Sequence, residues 1–151
     1  MGIVIKPASL KDLDMLNKIE KACFTSEAYT RAQLAYLLKS PDVISFVARE
    51  NVETVGFIIG MTENYAKTTV GHIVTVDVLP EHRREGAGLQ LLDKLENEFA
   101  REGVKTIYLE VRIDNQAARR LYTKKGYSEL ESLENYYAKG RHGLRMKKEL
   151  K

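Results

Sequence analysis

Arg83-Arg84-Glu85-Gly86-Ala87-Gly88 joins an apolar, strand-like run (His72 to Leu79) to an amphipathic stretch with helical spacing. The first N–H groups of a helix have no partner inside it and lie at the positive end of its dipole, so they can hold a phosphate. Glycine lets an anion approach the backbone closely, and arginine adds charged donors. The segment therefore predicts a strand, an anion-binding loop and a helix in succession.

The sequence around this loop is similar to that of a known family. The run Val76 to Gly88, Val-Asp-Val-Leu-Pro-Glu-His-Arg-Arg-Glu-Gly-Ala-Gly, resembles the acetyl-CoA signature of the GNAT acetyltransferase superfamily. Further motifs resemble, in order and spacing, those of the protein N-terminal acetyltransferases of the ribosomal-protein-alanine and archaeal Ard1-like kinds. These motifs are Leu109 to Arg112, Asn115 to Tyr122, Lys125 to Tyr127, Asn135 to Tyr137 and Met146. The resemblance extends from about Gly71 to Tyr137.

Composition limits the class of protein. The 151 residues have the length of one domain, taken as 1–151, and 44% hydrophobic with 30% charged residues is typical of a soluble globular protein. A net charge of +3 with scattered basic residues argues against nucleic-acid binding. No apolar run approaches the roughly 20 residues that span a bilayer, so no membrane association is expected. A single cysteine, Cys23, suits a reducing cytoplasm, and the three histidines and one cysteine lack the spacing of a metal site.

Periodicity and capping signals predict the element order βααβββαβαββ, a mixed α/β sheet with helices on both faces. Ser9 with Asp12 and Thr30 with Gln33 have the spacing of capping boxes at the starts of two helices. The expected strands are residues 3–6, 43–49, 54–61, 72–78, 106–111, 129–137 and 144–149, and the later helices are 86–101 and 115–124. The resemblance implies the GNAT fold, with about seven strands and two central parallel strands that splay apart.

Ligands of open α/β sheets bind at the carboxyl ends of parallel strands, which are Val78 and Val111 here. The resemblance implies that the pantetheine arm of acetyl-CoA lies between these strands and that Asn115 contacts it. It also implies that backbone groups of the first strand bind this arm, at Val76, Asp77 and Val78. The residues implied to form the pyrophosphate cradle are Arg83, Arg84, Glu85, Gly86, Ala87, Gly88 and Leu89. Asp77 departs from the small residue often found at its position, and its carboxylate can instead be satisfied by a neighbouring N–H.

Glu110 is the sequence's strongest candidate for a proton acceptor. Alternation places it on the strand face opposite Leu109 and Val111, and a carboxylate within a buried sheet is costly unless it is paired or functional. It is either a structural partner of Arg112 or His72 or a general base that takes the proton of an attacking amine, directly or through water. The resemblance places a base at this position. It also matches His72 to a second polar position that some members use, although a lone histidine is more often structural.

Tyr122 follows Glu110 by twelve residues, on the helix that Asp114 or Asn115 is expected to cap. The pattern alone is compatible with core packing. The resemblance implies instead that the Tyr122 hydroxyl protonates the departing thiolate, a role consistent with a phenol whose ordinary pKa is near 10.

The acceptor side is predicted by resemblance only. Two loops would flank a peptide acceptor, the first contributing Phe24, Glu27 and Tyr29 and the second Tyr136 and Tyr137. Tyrosine rings and hydroxyls suit a peptide backbone, although Tyr136 and Tyr137 also fit an ordinary strand edge. The chain departs from the family after these tyrosines, where Gly140-Arg141-His142-Gly143 replaces the usual acidic residue.

Three functions remain open on this basis. The first is acetyl-CoA-dependent acetylation of a protein N-terminal α-amine, in which the amine attacks the thioester directly in a ternary complex. The second is acetylation of a small-molecule amine, such as a polyamine or aminoglycoside, or of lysine. A site for a cationic small molecule is normally lined by several carboxylates, and the two loops offer only Glu27. The third, a non-catalytic acyl-CoA sensor, would be expected to lose the tyrosine or the base.

Overall fold

The protein forms one seven-stranded sheet with helices on both faces, in a computed structural model that describes residues 2–151. Its strands are β1 (Ile3–Pro7), β2 (Val43–Glu50), β3 (Glu53–Tyr65), β4 (Thr68–Val78), β5 (Thr106–Arg112), β6 (Ser128–Ala138) and β7 (Arg141–Glu149). Its α-helices are α1 (Leu13–Cys23), α2 (Arg31–Lys39), α3 (Ala87–Arg101) and α4 (Gln116–Lys124), with short 3₁₀ helices at Leu10–Asp12 and Pro80–His82. The predicted order of strands and α-helices is confirmed.

The strand order is β1-β2-β3-β4-β5-β7-β6, and every neighbouring pair is antiparallel except β4 and β5. These two parallel strands pair only where Gly71–Ile73 faces Ile107–Leu109. A register shift between β3 and β4 leaves Val74 unpaired, because Ile73 opposes Gly60 and Thr75 opposes Ile59. Such a bulge bends its strand. Beyond it β4 and β5 diverge, which confirms the predicted splay.

Two buried clusters hold the helices to the sheet. The larger packs α3 and Tyr122 of α4 onto one face and contains Leu91, Leu95, Phe99 and Ile107. The smaller packs α1 and α2 onto the other face around Leu16, Ile19, Leu34 and Phe57. The splayed ends of β4 and β5 therefore lie between one pair of helices on each side of the sheet.

Local sequence signals set most of the boundaries. Ser9 and Asp12 form a reciprocal capping box, and so do Thr30 and Gln33. The Ser9 box opens the first 3₁₀ helix, which leads directly into α1. No helix within residues 2–151 has the length and apolarity needed to cross a membrane.

The β3–β4 hairpin is longer than predicted. β3 continues through Tyr65 instead of ending at Met61, and β4 begins at Thr68 instead of His72. The added residues are mostly polar and exposed at the tip, so they lack the apolar alternation that marks a half-buried strand. This extension brings Glu63 opposite Val70, close to His72.

Candidate active site

The splay leaves one edge of β4 and the start of α3 facing the same gap. From Val74 to Val78 the side of β4 nearest β5 has no strand partner. The first bond within α3 runs from the Gln90 N–H to the Gly86 carbonyl, so the N–H groups of Ala87, Gly88 and Leu89 have no partner inside the helix. The gap therefore offers a free strand edge beside an anion-binding helix terminus.

The loop before α3 is shaped by two left-handed residues, Arg84 at φ 68° and Gly86 at φ 90°. Successive N–H groups turned by such conformations can converge on an anion. A Cβ atom built on Gly86 would meet only Gln90 Nε2, at 3.8 Å, so the space above this residue is open. The residues present thus fit the pyrophosphate cradle that the sequence predicted.

Not every predicted cradle side chain is free for a ligand. Arg83 turns back to β4, where its Nε donates to the Val78 carbonyl at 3.0 Å. That carbonyl also accepts the Cys23 thiol at 3.3 Å, and Glu85 lies 3.2 Å from His82 Nδ1. Arg84 is exposed. The cradle is therefore mainly a backbone feature, and Arg84 is the arginine available to a phosphate.

A row of alternating charges crosses five strands beside the splay. His72 Nε2 lies 2.6 Å from Glu110 Oε1, and His72 Nδ1 lies 3.2 Å from Glu63 Oε2. On the other side, Arg145 Nε donates to Glu110 Oε2 at 3.0 Å and Arg145 Nη1 donates to Glu131 at 2.5 Å. The row forms one wall of a groove of about 650 Å³ that Tyr136 also lines. The contact with His72 that was expected of a structural Glu110 is present, and the general-base role of Glu110 stays a prediction.

The alternative prediction, that Arg112 pairs with Glu110, was wrong. Its guanidinium bonds to Asp114 and to Glu27, at 2.8 and 3.2 Å, and Arg145 takes the second oxygen of Glu110. Arg145 lies on β7 directly opposite Glu110, so strand register decides the pairing.

Glu110 and His72 shift each other's pKa. Burial alone would raise the pKa of Glu110, but its hydrogen bonds and charge interactions with His72 and Arg145 outweigh burial and lower it. Burial alone would lower the pKa of His72, but the carboxylates of Glu110 and Glu63 outweigh burial and raise it. The two side chains lie 2.6 Å apart, so the protonation of one changes that of the other and they titrate as a dyad.

Tyr122 is buried in α4 and packs edge-to-face on Tyr127 at 5.8 Å. Burial and the nearby charge of Asp77 raise its pKa above the ordinary value. The phenol therefore stays protonated through the physiological range, as a proton or hydrogen-bond donor must. Asn115 caps the same helix by accepting the Ala118 N–H at 3.1 Å, which confirms Asn115, and not Asp114, as the cap.

The two predicted acceptor loops are tied together by Glu27. Its carboxylate binds Arg112 at 3.2 Å and lies 3.8 Å from Arg141, which follows β6, and Arg141 also reaches the Ser26 hydroxyl. Glu27 is thus an ion-paired brace that joins the α1–α2 loop to the end of β5 and the start of β7. Burial favours its neutral form, but its own backbone N–H and Arg112 lower its pKa.

Tyrosines converge beside this brace, and Tyr136 and Tyr137 lie on the strand β6 and not in the predicted loop. Tyr136 and Tyr137 pack edge-to-face at 4.9 Å. Burial raises the pKa of Tyr29 and of Tyr137, and the charge of Glu110 raises both further. Tyr29, Tyr136 and Tyr137 therefore share one electrostatic environment with Glu110. Phe24, the C-cap of α1, is half-buried at the start of the first loop.

A second pair of carboxyls lies behind this site. Asp77 on β4 and Glu20 on α1 are each 1% exposed, and the Asp77 Oδ2 and Glu20 Oε1 atoms are buried without a partner among the described residues. Asp77 Oδ1 accepts the Thr75 hydroxyl at 2.5 Å, so the expected backbone N–H partner was wrong. Burial, followed by the neighbouring Glu20 carboxylate, raises the pKa of Asp77 well above its ordinary value. The pair is stable only when it shares a proton.

Asp77→Asn is expected to stabilise the protein at high pH. Folding raises the pKa of Asp77, so the folded protein holds a proton that the unfolded chain releases above about pH 4, and stability falls as pH rises toward the folded pKa. The amide donates to Glu20 without that proton. We expect a gain in unfolding free energy of at least about 1.4 kcal/mol at pH 8 and less at pH 5.

Urea denaturation at the two pH values measures this gain, with exposed Asp42→Asn as the control. An equal loss of stability at pH 5 and pH 8 in Asp77→Asn would contradict the shared proton.

Glu50, His82 and Glu85 form a separate surface group. Their ligand atoms lie within 4.8 Å of one another, closer than the sequence spacing indicated. His82 Nε2 also lies 3.7 Å from Glu53. We interpret the group as a partly exposed ion-pair cluster and assign no metal to it.

Comparison with known proteins agrees with this geometry. The model of the acetyltransferase (GNAT) family matches residues 13–127, so the chain belongs to this family. It is 34% identical over 145 residues to an N-alpha-acetyltransferase of Sulfurisphaera tokodaii, covering 90% of this chain and 86% of that protein. It is also 34% identical over 145 residues to N-alpha-acetyltransferase 20 of Dictyostelium discoideum, covering 92% and 81%. The crystal structure of Ard1 from Thermoplasma volcanium superposes with a TM-score of 0.88 at 27% identity, covering 100% of this chain and 99% of that one.

Proposed function

We propose that this protein transfers acetyl from acetyl-CoA to the α-amine of a protein N-terminus. The observation that carries the proposal is the Glu110–His72 dyad, which lies beside the splay in a groove that Tyr136 also lines. The names of the two relatives at 34% identity support the acceptor class. The proposal covers residues 1–151 as a single domain in the cytoplasm, with no nucleic-acid or membrane partner.

Acetyl-CoA would be held by parts of the chain that have no other partner. The N–H groups of Ala87, Gly88 and Leu89 would bind the pyrophosphate, with Arg84 adding charge. The free edge of β4 at Val76 and Asp77 would bind the pantetheine arm, while the carbonyl of Val78 is already occupied. When bound, acetyl-CoA supplies a thioester whose acetyl group an amine can accept.

The dyad is better matched to an α-amine than Glu110 alone would be. A carboxylate with a lowered pKa is a weak base, and an α-amine has a pKa near 8. Sharing the proton with His72, whose pKa is raised, brings the pKa of the proton acceptor closer to that of the amine and to neutral pH, where general bases work best. Tyr122, protonated and buried across the gap, would donate to the departing thiolate.

The charge pairing argues against a cationic small molecule as the acceptor. Glu63 and Glu110 bind His72, Glu110 and Glu131 bind Arg145, and Glu27 binds Arg112. These carboxylates are therefore already compensated. A non-catalytic sensor has no use for the proton acceptor and donor that this chain holds around the gap.

Initial rates with a peptide panel test the proposed acceptor. The panel varies the first two residues and includes α-blocked peptides that contain lysine. We expect acetylation of the free α-amines with a preference among first residues. Transfer only to the α-blocked lysine peptides would refute the N-terminal assignment.

Gly86→Val tests the cradle. A residue with a Cβ is strained at φ 90° and would place bulk where the pyrophosphate is expected. We expect the Kd for acetyl-CoA to rise by at least about tenfold, equivalent to about 1.4 kcal/mol. Calorimetry measures this value directly.

Gly103→Val is the matched control, because Gly103 also has a left-handed φ of 82° and no atom within 4 Å of its built Cβ. It carries a similar backbone penalty at the other end of α3 and should leave the Kd unchanged. Equal Kd values for the two folded variants would contradict the placement of the cradle.

A further inference from the structure

Glu63 extends the dyad toward the tip of the β3–β4 hairpin. Its Oε2 lies 3.2 Å from His72 Nδ1, the ring nitrogen that does not face Glu110. The Tyr65 hydroxyl lies 3.4 Å from its other oxygen. Both nitrogens of His72 are therefore engaged by carboxylates on different strands, Glu63 on β3 and Glu110 on β5.

The exposed fraction of the side chains increases from Glu110 through His72 to Glu63. The side chain of Glu110 is 11% exposed, that of His72 is 25% exposed and that of Glu63 is 31% exposed. The line of three side chains thus has a buried end, Glu110, at the splay and a more exposed end, Glu63, in the groove. A proton that enters at Glu110 can reach water by passing outward through the histidine.

Only one direction along the row can carry a proton. Imidazole can accept a proton at one nitrogen while it releases another from the second. Arg145 holds the other oxygen of Glu110, and a guanidinium is not deprotonated in proteins. Arg145 and Glu131 therefore fix the position of Glu110 without offering an exit.

We propose that Glu63 is the outer member of a proton relay, Glu110–His72–Glu63, which carries the amine's proton from the transfer site to solvent. The inference rests on the proposed acetyl transfer. Acetylation of an ammonium forms the N–C bond, breaks the C–S bond, protonates the thiolate and leaves one net proton. In the relay, neutral His72 carries its proton on Nδ1, which faces Glu63, and its Nε2 is unprotonated. Glu110 takes the amine's proton and passes it to Nε2, His72 releases the Nδ1 proton to Glu63, and Glu63 passes it to water. The ring returns to the Nδ1–H form before the next turnover. Glu63 is a positioning residue, since it touches His72 and not the reacting atoms.

The titratable and charged groups that face His72 lie on four other strands of the sheet. They are Glu63 with Tyr65 on β3, Glu110 and Tyr108 on β5, Arg145 on β7, and Glu131 and Tyr136 on β6. Of the groups that face it, only Glu63 and Glu110 bond to its ring.

Glu63→Gln tests the relay by kinetics. Glutamine keeps an oxygen for the Nδ1–H but cannot take its proton, so we expect turnover to fall about tenfold in dilute buffer. A small buffer base such as imidazole should restore much of this loss as its concentration rises, and Glu63→Asp should restore part of it. Wild-type turnover should not depend on buffer concentration.

Glu131→Gln is the matched control, because it removes the same charge from the other end of the row. It should show no dependence on buffer. If Glu63→Gln also shows none, or Glu131→Gln shows the same dependence, the relay is refuted as a proton exit.

Nuclear magnetic resonance of the histidine rings separates the relay from the proposed function, because it needs no turnover. We expect the pKa of His72 to fall in Glu63→Gln, since a carboxylate that favours the charged ring is lost, and to hold in Glu131→Gln. An unchanged pKa of His72 would overturn the relay even if acetyl transfer is found. A lowered pKa in a protein that acetylates no peptide would instead overturn the proposed function, and the relay's role with it.

Discussion

Glu110→Gln is expected to lower turnover by about 100-fold or more while the Kd for acetyl-CoA stays unchanged. The amide keeps the size of the carboxylate and can still accept one hydrogen bond. It cannot hold the amine's proton, and its NH₂ group must face either Arg145, which donates to Glu110 Oε2, or His72 Nε2, which lies 2.6 Å from Glu110 Oε1. Steady-state rates with a reactive peptide and calorimetry with acetyl-CoA measure the two quantities.

The pH dependence of kcat/KM identifies the acceptor more directly. The raised pKa of His72 places the acidic limb of the wild-type profile above the ordinary value of histidine, because the protonated dyad cannot accept the amine's proton. Removing the Glu110 charge lowers the pKa of His72, so the limb of Glu110→Gln should move to lower pH. Raising pH should restore part of the activity, because more of the amine is then neutral.

Glu96→Gln is a matched control for these experiments. Glu96 is also a buried, ion-paired carboxylate, bound to Tyr127 and Lys148 at 2.9 and 2.8 Å within the other half of the molecule. Its substitution should cost stability but not turnover per folded molecule. If Glu110→Gln behaves in the same way, Glu110 is only a structural partner of His72 and Arg145.

Tyr122→Phe should reduce turnover by about 30-fold to 100-fold without unfolding α4. Burial keeps the hydroxyl protonated, and the phenylalanine ring preserves the edge-to-face contact with Tyr127. The substitution thus removes a donor to the departing thiolate and little packing. Because the pKa of Tyr122 is raised above 10, its ionisation should not produce a basic limb below that pH.

Tyr127→Phe provides the comparison. Tyr127 is a buried tyrosine in contact with Tyr122, but its hydroxyl donates to Glu96 at 2.9 Å, away from the splay. We expect this variant to lose stability, because Glu96 loses a hydrogen bond, and to retain turnover. Equal turnover in the two variants would refute the role of the Tyr122 hydroxyl. Thermal melts and rates per folded molecule distinguish these results.

The features that the sequence predicted correctly are local ones. The capping boxes at Ser9 and Thr30 each span four residues, and the alternation of β5 placed Glu110 opposite the buried face. The start of α3 was predicted from Gly86, which directly precedes the helix and has the left-handed backbone conformation that glycine favours. Within these segments the residues interact with neighbours a few positions away, so their pattern is sufficient.

The partners of the site depend on strand register and helix packing, which no local pattern records. Arg145 meets Glu110 across β7 at a separation of 35 residues, and Asp77 meets Glu20 across the packing of α1 on β4. Glu63 was missed because the polar end of β3 carries no strand signal. The alternation of β7, which puts Arg145 on the opposite face from Leu144 and Met146, was the available clue to a charged partner.

The central claim is that the site acetylates an α-amine. One peptide with a free N-terminus and an internal lysine tests it most directly, with the acetylated position read by fragment mass spectrometry at neutral pH. Reference pKa values near 8 and 10.4 leave the neutral α-amine roughly 250 times more abundant than neutral lysine, and the loops add selection for a chain end. We predict acetyl on the α-amine in wild type and about 100-fold less of it in Glu110→Gln. Acetyl found on the lysine, with the N-terminus unmodified, would contradict the account.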